Sequence, residues 1–101
     1  MSGVSNPYRY PYETVAASQT AQILGANGAV GDYIERLVVT VTASGATGTV
    51  TLIDNATNVL VIPANTPVGV YSVDLGMASA SGAWKVTTGA GATAVGVGIF
   101  S

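Results

Sequence analysis

Histidine and cysteine are both absent from this 101-residue chain, and ionisable side chains of any kind are scarce. Without cysteine there is no disulfide and no thiol chemistry, and the redox compartment leaves no trace. Without histidine, the commonest general base and the commonest transition-metal ligand are gone. Charged residues make up 8% of the chain, against about 25% in an ordinary globular protein. The three basic residues, Arg9, Arg36 and Lys85, are scattered and the net charge is −2. No basic field exists to displace counterions from a nucleic acid. Long apolar runs are missing as well. Mean hydropathy is +0.49, yet Gly, Ser, Thr and Pro interrupt every stretch short of the roughly 18–20 apolar residues of a spanning helix. The opening "MSGVSNPYRY" has neither the basic head nor the apolar core of a signal peptide. These absences point away from nucleic acid and membrane partners. They leave a soluble fold whose faces carry Thr, Ser, Ala and Gly. Such a surface dehydrates at low cost and suits subunit contacts better than a solitary life, which surface charge favours.

What the chain does have is β periodicity. Its length allows one domain with one core. In residues 32–43, "DYIERLVVTVTA", Leu37, Val39, Val41 and Ala43 share one face while Arg36, Val38, Thr40 and Thr42 share the other. Residues 48–54, 59–62, 70–75, 83–88 and 94–100 read as further strands. The turn clusters "SGATG", "DNATN", "PANTPVG", "GMASASG" and "GAGAT" separate them. One or two more strands fit between residues 13 and 24, for about eight in all. The spacing predicts an all-β fold: a single antiparallel β-sandwich of jelly-roll type over residues 13–101, preceded by an extended N-terminal arm, residues 1–12. Residues 16–24, "AASQTAQIL", tolerate a helix but lack a strong cap. The expected core is Leu37, Val39, Val41, Val50, Leu52, Leu60, Ile62, Val73, Leu75, Trp84, Val86, Val95, Val97 and Ile99. Gly96 and Gly98 would then leave gaps on the opposite face of the last strand, where a neighbouring backbone packs close or the strand bends.

Catalytic and metal chemistry find little to stand on. Residues 89–94, "GAGATA", match G-x-G-x-x-G/A, but that loop needs a helix after it to hold phosphate, and "VGVGIF" follows instead. The carboxylates Glu13, Asp32, Glu35, Asp54 and Asp74 form no evident acid/base pair and read as solvated charges; Asp32 and Glu35, at odd spacing on a strand, face opposite ways. The oxygens of "DNATN" fall short of the six to eight ligands of a calcium site and read as a turn. Ser and Thr hydroxyls have no His or Cys partner. The expectation is therefore a protein without enzymatic activity, catalytic residues, metal or cofactor. Trp84 is either a core or interface anchor or, on a sandwich, a platform for stacking sugar; the area it buries favours the first.

The tip of the chain is adhesive. "NPYRYPY" gathers Pro7, Tyr8, Arg9, Tyr10, Pro11 and Tyr12, three of the five tyrosines and two of the four prolines. Disordered tails avoid aromatics. Ordering about a dozen residues costs on the order of 12–24 kcal/mol. Burying three tyrosines removes ~450–750 Å² from water, a return of about 11–19 kcal/mol. Pro7 and Pro11 restrict the free chain in advance and reduce the loss. The balance is near zero, so the arm needs a surface that accepts all three rings. A neighbouring subunit supplies one, and the chain's own sandwich is the alternative.

The phrases "GAVGDYIERLVVTVTASGATGTVTLID" and "IPANTPVGVYSVDLGMASASGAWKVTTGAG" resemble a segment that recurs in small structural proteins of tailed bacteriophages: capsid decoration (cement) proteins, or head- and tail-associated modules with β-sandwich folds. The resemblance covers residues 28–100 and carries no catalytic motif. It implies a virion component on the capsid exterior, made in the bacterial cytoplasm. Its partners would be the major capsid protein, whose subunit contacts it reinforces, and further copies of itself in a dimer or trimer. A tail or fibre module, with a carbohydrate platform around Trp84, is the alternative.

Overall fold

The computed structural model describes residues 10–101. Eight strands form two four-stranded antiparallel sheets. They are β1 (Tyr12–Val15), β2 (Gln22–Ile23), β3 (Tyr33–Val41), β4 (Val50–Asp54), β5 (Thr57–Ile62), β6 (Gly69–Ala78), β7 (Trp84–Thr88) and β8 (Ala92–Ile99). One sheet has the order β1-β8-β3-β6 and the other β2-β7-β4-β5. The only regular helix among the described residues is a single 3-10 turn, Gly45–Thr47. Every connection passes from one sheet to the other except the hairpin between β4 and β5. Its two-residue turn, Asn55-Ala56, is made by Asn55 at φ 58°, a conformation asparagine tolerates.

The two sheets share one hydrophobic cluster. Val15 of β1, Ile34, Leu37, Val39 and Val41 of β3, Val50 and Leu52 of β4, Trp84 and Val86 of β7, and Ala92 and Ala94 of β8 all belong to it. The alternation of β3, β4 and β7 thus runs as the sequence predicts. Leu60, Ile62 and Leu75, also expected inside, are only half-buried because β5 and β6 lie at sheet ends.

The last strand is reversed from expectation. Val95 and Val97 lie on the outer face, Ile99 is exposed, and Ala92, Ala94, Gly96 and Gly98 point inward. The inner side has no room for bulk. A Cβ on Gly96 would sit 2.9 Å from Leu24 Cδ1, and one on Gly98 would run into the main chain of Tyr33 and Ile34. Leu24, fully buried, fills the space that valines would need.

Residues 16–24 are not helical. Ser18 and Ala21 take positive φ, and only Gln22 and Ile23 pair, with Val86 and Lys85. Threonine hydroxyls hold the remainder. Gln19 N–H donates to Thr88 Oγ1 at 3.0 Å, Ala21 N–H to Thr87 Oγ1 at 2.9 Å, and Thr88 Oγ1 donates to Ala16 O at 2.6 Å. These bonds satisfy two main-chain donors and one acceptor that a marginal nine-residue helix would not have secured.

Candidate functional site

Trp84 is 1% exposed, and its indole Nε1 donates to the Asp32 carbonyl at 2.8 Å. It is a core anchor, closed to any sugar ring. Asp32 and Asp54 are each 7% exposed, which corrects the expectation of solvated charges. Asp54 accepts main-chain N–H bonds from Ala80, Ser81 and Gly82 at 2.8–3.3 Å and so holds the turn before β7. Asp32 accepts the Ser101 hydroxyl at 2.6 Å, the Ser101 N–H at 3.0 Å and the Ala29 N–H at 3.1 Å. Burial pushes the Asp32 carboxyl up, but the three donated bonds outweigh it and hold the group below its ordinary value. Both carboxylates are occupied by their own chain and serve as clasps for loops. Sequence reasoning missed them because all of their donors but Ala29 lie 26 to 69 residues away.

Of the arm, Pro7, Tyr8 and Arg9 lie outside the described residues. Tyr12 opens β1, opposite Val97 on β8, and its ring is exposed. Pro11 O accepts the Gly98 N–H at 3.0 Å, extending that ladder by one bond. The Tyr10 ring lies 5.4 Å from the ring of Tyr33. Tyr33 in turn donates its hydroxyl to Glu35 at 2.6 Å. That bond, with burial and the neighbouring Glu35 and Tyr10 charges, pushes the Tyr33 pKa up to about 12. So Tyr10 and Pro11 make contacts within their own chain.

The broadest feature is the outer face of the first sheet. Cross-strand registers place Tyr12, Val97, Arg36 and Asp74 in one row and Thr14, Val95, Val38 and Ser72 in the next. Thr93, Thr40 and Val70 form a third. Valines run through the centre, hydroxyls surround them, and Arg36 and Asp74 stand in cross-strand register, with Glu35 a second carboxylate at the bulge beside Arg36. The outer face of the second sheet has Ile53 between Lys85 and Asn58, and Thr51 between Thr87 and Val61. Among the described residues no pocket opens between or beside these faces, and no three His, Cys, Asp or Glu residues gather. No helix there is long and apolar enough to cross a membrane. The described residues thus present a sheet face with an apolar centre and few charges. Compared with protein-family models, curated proteins and solved structures, the chain matches none.

Proposed function

We propose that this chain is a structural virion protein. It is a jelly-roll sandwich that lies on the outer surface of a tailed-phage capsid and reinforces contacts between major capsid protein subunits. The strand orders support the jelly-roll part: β1-β8-β3-β6 and β2-β7-β4-β5, with all connections but one crossing between sheets, follow the winding of that architecture. The observation that carries the docking role is the outer face built on Val38, Val95 and Val97. Its apolar centre favours burial against protein, and the few charges on it, Arg36, Asp74 and Glu35, limit the desolvation cost. The resemblance of residues 28–100 to phage decoration proteins supplies the capsid as the partner. Many copies on a lattice sum modest contacts into firm attachment. The proposed role is one of holding, without catalysis.

Sedimentation with phage heads lacking this protein tests the reading. The full chain is expected to pellet with the heads at hundreds of copies per particle and to raise the temperature at which they release DNA. Removal of residues 1–9 is expected to leave a folded chain that binds heads less tightly. A count of a few tens or fewer would move the protein to the tail. A chain that stays in the supernatant with heads in excess would sink the proposal. The sugar-platform version of the tail reading loses its anchor, because Trp84 is enclosed.

A further inference from the structure

β6 is the longest strand and, among the described residues, pairs with β3 alone. Main-chain groups alternate in direction along an antiparallel strand. Thr42 N–H donates to Gly91 O on the β8 side. Thr40, Val38 and Arg36 therefore turn their main-chain groups to β8, and Leu37, Val39 and Val41 turn theirs to β6. The partners of these last three are Val73, Tyr71 and Gly69. That leaves the N–H and C=O of Val70, Ser72 and Asp74 aimed out of the sheet.

Open edges are ordinarily guarded by brevity, proline or charge. β1 has four residues and follows Pro11, β2 has two, and β5 is interrupted by a register shift and stops at Pro63. β6 has ten residues, no proline and no basic side chain, with Asp74 its single charge. Its irregularity comes after Asp74, so residues 69–74 pair with β3 without interruption.

We infer that this edge is where two copies of the chain associate, each β6 pairing antiparallel to the other about a two-fold axis at Ser72. Ser72 then faces Ser72 of the partner subunit, and Val70 faces Asp74 of the partner subunit. Every outward main-chain group finds a mate. At the intervening positions, where side chains come closest, Tyr71 meets Val73 of the partner subunit, an aromatic–β-branched pair. Both side chains are only half-buried in the single chain. The two Asp74 carboxylates stand four residues apart along the strand, about 14 Å at ~3.4 Å per residue, beyond a Debye length of ~8 Å. Sliding the partner by two residues either halves that separation or leaves Asp74 facing past the strand's end. The charge and the two side-chain parities thus select the same register. The product is an eight-stranded sheet whose outer face continues across both copies. The pairing names the surface for self-association and stands apart from the capsid reading, since oligomeric state and capsid binding are measured separately.

Sedimentation equilibrium on the full chain is expected to give a monomer–dimer equilibrium. Ser72→Pro removes an N–H that, among the described residues, bonds nothing in the single chain, and in the dimer its loss from both copies removes the two central bonds. The substitution is expected to raise Kd by about tenfold or more. Val70 is 68% exposed, so its substitutions spare the fold. Val70→Asp sets like charge against Asp74 of the partner subunit and is expected to weaken the dimer by about threefold or more at low salt. Val70→Lys is expected to tighten it by a similar factor, and high salt should erase both effects. Circular dichroism reports whether each variant is folded. If Ser72→Pro is not, the opposed signs at Val70 decide. A chain still monomeric near ~1 mM, a folded Ser72→Pro dimer of unchanged Kd, or Val70 variants shifting Kd in the same direction would overturn the inference.

Discussion

Two buried side chains set the stability at residue scale. Trp84 fills the centre of the cluster and donates to the Asp32 carbonyl. Truncation leaves both a cavity and an orphaned acceptor. Trp84→Ala is expected to cost about 3–5 kcal/mol, read as a lower urea midpoint with an intact spectrum under native conditions. Asp32 acts through its charge. Its carboxyl lies below its ordinary value of 3.8, so the ionised form is favoured by the fold. The stability it contributes is fully present above the unfolded value and lost as pH falls through the folded one. Urea midpoints are expected to decline as pH drops below about 4. Asp32→Asn is expected to be less stable at neutral pH and less sensitive to acid. A variant with the acid response of the parent would assign that response to other groups.

At the scale of elements, β8 is the instructive case. Valine and glycine alternate along it, and bulk alone says that the valines face in. Leu24 occupies the space over Gly96, and the β3 main chain crowds Gly98, so the small residues face in instead. Gly98→Ala is accordingly expected to destabilise the fold by about 1–3 kcal/mol, as overpacking does. Ala90→Gly, at an exposed turn outside the strand, serves as the control and should change the thermal midpoint far less. The same contest explains residues 16–24. Their local preference permits a helix, but Thr87 and Thr88 of β7 offer partners to their main-chain donors, and an irregular edge results.

At the scale of the molecule, the described residues form two outward sheet faces and, along β6, a ten-residue edge that pairs with β3 alone. The outer face of the first sheet carries Val38, Val95 and Val97 outside the cluster, half-buried among hydroxyls. β6 continues that face to an edge that, among the described residues, pairs with nothing beyond β3. Pairing at Ser72 would place two copies of that face side by side, which would serve the proposed attachment to a capsid lattice through multivalency.

Composition and periodicity were enough to indicate the β class, a count of about eight strands and the alternation of β3, β4 and β7, and to favour an anchoring role for Trp84, whose burial the structure decides. These follow from local rules: a period of two, turn residues between strands, and the large area of an indole. The inward face of β8, the place of Leu24 and the clasps made by Asp32 and Asp54 were not legible, because each depends on atoms brought near from distant parts of the chain. The sense in which a strand with apolar side chains on both faces is turned is decided by the volume its neighbours leave. A carboxylate's environment is decided by which main-chain donors converge on it. Both are properties of packing, and only the tertiary structure holds them.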